Sequence, residues 1–260
     1  MPIVTLTTDF GYQDYYLAMI KGAILSQKPS INLVDIAHSI NNYDIVQAAF
    51  ILKNCWHAFP KSTIHLVSVN DFNDGKNQLV AIRHQGHYFI GPDNGVFSLV
   101  FEDTPAAVYY LEPAEQGFQS ITNIYAKAIG YIANKKPFEE IGTTCDEMEQ
   151  RITFHPVISP SQIRGSIIYI DNYENAIVNV RQELFEKVGN DRPFKLFFKR
   201  HNPITKLCQH YSDVAIGERL CLFNAAKYLE IAINMGKASS LLGLKLEDKV
   251  QIDFYTNTSE

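Results

Sequence analysis

The sequence predicts an α/β fold in two domains: an N-terminal domain on a mostly parallel, covered sheet, and a smaller, mainly β domain behind it. Three observations carry this. Through the first 150 residues, β-rich runs alternate with segments whose apolar residues recur at helical spacing, the pattern of strands joined by crossover helices. Near residue 150 the texture changes to the proline-marked loop chemistry of "FHPVISPSQIRG". Beyond it, short β-rich runs dominate. The expected boundaries are 1–150 for the α/β domain, 151–162 for a linker and 163–260 for the β-rich domain.

In chain order, "IVTLTT" reads as a strand ending at "DFG", and "DYYLAMIKGAILSQK" as a helix. "INLVDIAHSI" is a second strand and "YDIVQAAFILKNCWHAF" a second helix. "TIHLVSV", "QLVAIRHQGHYFIG" and "AAVYYLE" supply further strands, and "NIYAKAIGYIANKK" a further helix. In the second part, "SIIYI", "AIVNV", "FKLFF", "RLCLF", "YLEIAI" and "VQIDFY" read as strands; only "RQELFEKVG" and "GKASSLLG" look helical.

Composition removes several functions. The chain has 260 residues, 46% hydrophobic and 20% charged, with a net charge of −5, ordinary values for a globular protein. Lys and Arg are scattered, with no basic stripe to gather phosphates, so no nucleic-acid partner is expected. No stretch approaches the roughly 18 apolar residues a membrane span needs, so no membrane partner is expected either. Cys55, Cys145, Cys208 and Cys221 form no C-x-x-C pair. The lone Cys208-x-His210 pair is not a zinc site, and no metal or cofactor is expected. A cytoplasmic protein with reduced thiols is the plain reading.

Four segments could carry chemistry. In "TTDFGYQD", a strand end delivers Asp9 to the sheet edge, where ligands of open α/β sheets bind. A carboxylate there repels phosphate and suits a vicinal diol or a cation; alternatively Asp9 or Asp14 caps the next helix. "GPDNG" is turn chemistry, with Asp93 or Asn94 available as a cap. "DIAHSINNYD" brings Asp35 and His38 to another strand end and Tyr43 to a helix start, where an aromatic ring can cover a base or a sugar. "YIDNYENAIVNV" offers Asp171, Tyr173, Asn175 and Asn179 around a tight turn; amide side chains carry the donors and acceptors a purine edge requires.

The order of these segments, with "NAAKYLEIAINMGKASSLLGLKLEDKV" after them, resembles the S-adenosylmethionine hydroxide adenosyltransferase family, relatives of the S-adenosylmethionine-dependent chlorinases and fluorinases. The likeness spans essentially residues 3 to 252. It implies an α/β N-terminal domain, a barrel-like C-terminal domain and a homotrimer. An adenosine-containing small molecule would sit between one subunit's N-terminal domain and its neighbour's C-terminal domain. S-adenosylmethionine is then the substrate or ligand, with no separate cofactor.

The same resemblance implies roles for single positions. Asp9 falls on the ribose-binding aspartate and Tyr43 on the aromatic that covers the substrate. Asp14 and Tyr16 lie in the segment approaching the methionine end. Asp171, Tyr173 and Asn175 match a "D-x-F-G-N" pattern whose aromatic stacks on adenine, with Glu174 in place of its glycine. Ala225 and Lys227 replace the serine and glycine of "N-S-x-G", whose serine holds the methionine portion.

The family's hydrolytic triad of Asp, Arg and His falls on Asn70, Asn77 and Ser120, all three changed. Neither Asn nor an unassisted Ser accepts a proton from water at neutral pH, and such assistance is worth about 10²- to 10⁴-fold. Hydrolysis to adenosine and methionine is therefore expected to be weak, or absent in a catalytically silent binder or trimeric scaffold. Halide transfer fits poorly, because bulky Ile121 stands where the family keeps a small residue. Asp71 or Asp74 could serve as a relocated base only if the loop, which lacks the family's "PGVG", follows a new path.

Overall fold

Strands β1 (Ile3–Thr8) and β3 (Ile64–Ser68) are buried along almost their whole length, and that burial explains their near-continuous apolar sequence. Both faces of the sheet are covered. In the computed structural model, which describes residues 1–71, 78–112 and 117–256, the chain divides into two compact units, Met1–Ile152 and Thr153–Glu260.

The first unit carries a seven-stranded mixed sheet. β2 (Asn32–Ala37), β1, β3 and β5 (His87–Pro92) run parallel, in that order. β4 (Leu79–His84) leads into β5 through a tight hairpin, and β4, β6 (Ala107–Tyr110) and β7 (Thr143–Thr144) extend the sheet through antiparallel pairs. The parallel half, where consecutive strands are linked by helices, holds the site.

Helix α1 (Tyr16–Gln27) buries Leu17, Ile20 and Ile24, the one-face spacing of an amphipathic helix. Helix α4 (Phe118–Ala133) buries Ile121, Tyr125, Ile129 and Ile132 in the same way. Together they cover one sheet face around Leu6, Leu66 and Ile90. Helices α2 (Ile45–Lys53) and α3 (Val96–Val100) cover the other around Val67, Val80 and Phe89. In that layer His65 hydrogen-bonds Thr5 Oγ1 at 2.8 Å and His87 at 3.1 Å. Burial, with His87 adding to it, lowers the His65 pKa to about 3.

In the second unit all strand pairs are antiparallel, in the order β11 (Phe194–Phe198), β14 (Lys249–Phe254), β9 (Gln162–Ile170), β10 (Ala176–Arg181), β13 (Tyr228–Ile233) and β12 (Arg219–Phe223). β9 pairs with β14 through residues 162–166 and with β10 through 167–170. The sheet therefore curls into a half-barrel around Ile163, Val178, Leu196 and Ile231. Helix α5 (Gln182–Gly189) plugs it with Phe185, whose ring centroid lies 5.1 Å from those of Phe194 and Phe254. The short helix α6 (Ala238–Leu242) precedes β14. Residues 157–159, within the segment expected to link the domains, form β8, which pairs with β9. No helix among the described residues is long and apolar enough to cross a membrane, and the four cysteines are unpaired.

Candidate functional site

Parallel strands deliver their C-terminal ends to one edge, so Asp9, His38 and the residues after Ser68 gather where β1, β2 and β3 stop. The chain turns at Gly11, whose φ of +69° suits a residue without a Cβ. Its N–H donates to the His38 carbonyl at 2.7 Å. The Thr8 hydroxyl bonds the other end of that loop through His38 Nδ1 at 2.8 Å. His38 Nε2 lies 3.1 Å from Asp35, which pairs with Lys21 at 2.8 Å. Burial lowers the His38 pKa against the pull of Asp35.

Asp9 is not a cap. Helix α1 starts at Tyr16, its N-cap residue Tyr15 makes no side-chain cap hydrogen bond, and Asp14 is exposed. Asp9 Oδ2 instead accepts the backbone N–H of Tyr43 at 2.9 Å. Tyr43 sits at a φ of +69° and is 70% exposed as a residue, and the next residue, Asp44, caps α2 by accepting from Gln47 N–H. Beside this loop Phe10, Tyr16 and Phe118 form an aromatic cluster, with centroids 5.4 Å apart for Phe10–Phe118 and 4.9 Å for Tyr16–Phe118.

Asn70 turns the chain out of β3 with a φ of +53°, a conformation Asn tolerates well. The Asn94 side-chain amide donates to the carbonyls of Val69 and Asn70 at 3.0 and 3.1 Å, while its oxygen accepts from Val96 N–H at the start of α3. The "PDNG" turn thus fixes the path of the Asn70 loop. That path carries Asp71 inward. Asp71 is buried, accepts the Ser68 hydroxyl at Oδ2, and accepts the Tyr125 phenol at Oδ1 at 2.8 Å. Burial pushes its pKa up to about 7; the two hydroxyls oppose the rise and the Asp9 charge adds to it. Burial, then the Asp71 charge, raises the Tyr125 phenol well above its ordinary value. Ser120 lies in the first turn of α4, half-buried. Asn77 and Asp74 lie outside the described residues.

In the second unit Asp171 Oδ1 accepts the N–H groups of Tyr173 and Asn175 at 2.9 and 2.8 Å, and Oδ2 accepts the Asn175 amide at 3.2 Å. The Tyr173 ring is exposed. Glu174 has a φ of +64° and Lys227 one of +63°, so both replacements of an expected glycine keep a left-handed backbone. Glu174 is tied down by Lys237 Nζ at 2.8 Å and by the Ser240 hydroxyl. Ala225, exposed in the β12–β13 turn, offers no polar side chain. Nearby, buried Glu230 accepts the Tyr211 phenol at 2.7 Å, and its pKa is raised by burial, with the Asp171 charge adding to this.

Sequence reasoning missed Ser68, Tyr125, Tyr211 and Glu230. The available signals were a serine inside "HLVSV" and a glutamate inside the wholly buried strand "YLEIAI". Among the described residues no group of three or more His, Cys, Asp or Glu side chains is arranged to hold a metal ion.

A parallel half-sheet with two carboxyl groups at its strand ends, in a chain continued by a curled antiparallel sheet, defines an α/β protein of the class that binds ligands outside the carboxyl ends of its strands. The family model of the SAM hydroxide adenosyltransferase N-terminal domain matches residues 4–142, and that of the C-terminal domain residues 165–251. The chain belongs to that family. It is 25% identical over 262 residues to an (R)-S-adenosyl-L-methionine hydrolase of Methanocaldococcus jannaschii, covering 97% of this chain and 96% of that protein. It is 24% identical to a fluorinase of Actinoplanes sp., covering 94% and 95%. The crystal structure of an uncharacterized conserved protein from Thermotoga maritima superposes with a TM-score of 0.87 at 26% identity, over 96% of this chain and 99% of that one.

Proposed function

We propose that this chain binds S-adenosylmethionine, or a closely related adenosine compound, and hydrolyses it slowly to adenosine and methionine with Asp71 as the base. The observation that carries this reading is the buried Asp71 carboxyl, held by Ser68 and Tyr125 and close enough to Asp9 to feel its charge. Asp9 retains acceptor capacity beyond its bond to Tyr43 and takes the ribose diol. The Tyr43 ring covers the sugar, and Tyr16 with Phe10 and Phe118 offers an aromatic wall toward the methionine end.

In the reaction, water oxygen forms a bond to ribose C5′ as the C5′–sulfur bond breaks. The bonding pair returns to sulfur, converting the sulfonium to neutral methionine thioether, so no acid is needed on the leaving side. The water proton passes to Asp71. A base with a pKa near 7 is well matched to work near neutrality. Asn70, Asn77 and Ser120 contribute at most neutral hydrogen bonds at their three positions, which keeps turnover low. In the second unit Asp171, Tyr173 and Asn175 are assigned to the adenine end, and the active form is assigned as a homotrimer.

The neutral residues Asn70 and Ser120 favour a second reading, a catalytically silent receptor for the same ligand. Incubation of purified protein with S-adenosylmethionine, chromatography of adenosine, and calorimetry in parallel separate the two. Adenosine release lost in Asp71→Asn supports hydrolysis; binding without release supports the receptor; neither one removes both. Light scattering on the same sample tests the trimer.

A further inference from the structure

Asp71 is buried and, among the described residues, its carboxyl oxygens accept two hydroxyl donors, Ser68 from its own strand end and Tyr125 from α4, 54 residues away. We propose that Tyr125 is the positioning residue of this site: its phenol, paired with the Ser68 hydroxyl, fixes the orientation and proton occupancy of the Asp71 carboxyl. This rests on the hydrolytic reading above for its catalytic meaning, but the assignment itself concerns only the ligand-free chain.

The geometry is specific. Tyr125 is fully buried on the α4 face that packs against Leu6, Ile20 and Leu66, a setting in which phenylalanine would fill the same space without a polar group to satisfy. A buried carboxyl and phenol together are harder to accommodate than their apolar counterparts, so the pair is not explained by packing. Each carboxyl oxygen accepts one hydroxyl and retains a further lone pair, which leaves Asp71 able to take a proton from a third group. One helical turn before Tyr125, on the same face, the buried Thr122 hydroxyl has no hydrogen-bond partner among the described residues. The phenol thus takes over, in neutral form, the orienting task that a charged partner performs for a conventional base.

Tyr125→Phe tests it. Removing the phenol withdraws a hydrogen bond to the charged form of Asp71, so the carboxyl releases its proton at higher pH. The acid-side limb of the kcat–pH profile, where activity rises as Asp71 ionises, moves up by about one pH unit, with KM unchanged. In parallel, carbon-13 NMR of the ligand-free protein follows the Asp71 carboxyl, identified by its loss in Asp71→Asn, and shows the same upward shift. If Tyr125→Phe does not fold, Ser68→Ala removes the other donor and gives an upward shift of the same sign. A carboxyl titration that stays in place in the folded variants overturns the assignment. Wild-type protein that releases no adenosine, with a carboxyl titration that still moves, sinks the hydrolytic reading and leaves the Tyr125 assignment standing.

Discussion

The Asp9 carboxylate accepts the backbone N–H of Tyr43 at 2.9 Å, joining two loops 34 residues apart and anchoring an exposed tyrosine to the acid through its main chain. This one bond makes the acid and the aromatic a unit. Asp9→Ala removes both the diol acceptor and the loop anchor. A lost charge-assisted hydrogen bond is worth about 1.5–3 kcal/mol, so calorimetric affinity for S-adenosylmethionine falls roughly 10- to 100-fold. Asp9→Asn, which keeps an acceptor for Tyr43, falls less. Equal losses in the two variants would argue against the anchoring role.

Tyr43 holds a left-handed backbone, which costs a non-glycine residue about 1–2 kcal/mol. Tyr43→Gly and Tyr43→Ala both lose ligand affinity with the ring. In chemical denaturation the glycine variant comes out more stable than the alanine variant by about 1 kcal/mol, because only glycine relieves the backbone. Identical midpoints would contradict the strained geometry.

Asp71 carries an opposed pair of effects. Its pKa of about 7 in the fold lies above the roughly 3.9 of an unfolded chain. Between those values the fold keeps a proton that the unfolded chain has released. Stability therefore falls as pH rises from about 4 to about 7 and stays reduced above that. Asp71→Asn removes this cost, so its melting temperature at pH 8 exceeds that of the wild type while adenosine release drops by about 10²- to 10⁴-fold. A variant that melts lower at pH 8 would show that the acid stabilises the fold instead.

His65 gives the reverse slope. Its pKa of about 3 in the fold is below the roughly 6.5 of an unfolded chain, so its contribution is complete above pH 6.5 and is lost as pH falls from there toward 3. His65→Gln, which keeps polar atoms for Thr5 and His87, flattens the fall in melting temperature between pH 6.5 and 4. An unchanged slope would assign the acid sensitivity elsewhere.

Glu174 occupies a left-handed position and compensates with its bonds to Lys237 and Ser240. A solvent-exposed ion pair contributes little, so its loss is offset by the backbone strain that glycine would relieve. Glu174→Gly should unfold at nearly the wild-type urea concentration, and Glu174→Ala, losing the pair and keeping the strain, should unfold at a lower one. The difference between the two variants in urea denaturation measures the strain directly.

What the sequence by itself determined is most of the elements and the strand-end placement of Asp9; the two- and three-residue strands β7 and β8 are too short to carry a pattern. Burial imposes period-two or period-3.6 apolar patterning on each segment, and a strand that ends in "DFG" puts its acid at a sheet edge whatever its neighbours are. The antiparallel half of the first sheet follows from the Gln85–Gly86 hairpin, a turn that reading "QLVAIRHQGHYFIG" as strand material did not specify. Only the tertiary structure decided what the "VSVND" turn does. Read along the chain, Asp71 is one loop acid among several, and Tyr125 one aromatic on an amphipathic helix. The left-handed turn at Asn70, fixed by Asn94, swings Asp71 inward, and α4 packs so that the Tyr125 phenol meets it. Partners that far apart in sequence leave no periodic trace, because their meeting depends on how helix and sheet pack and not on any spacing between them.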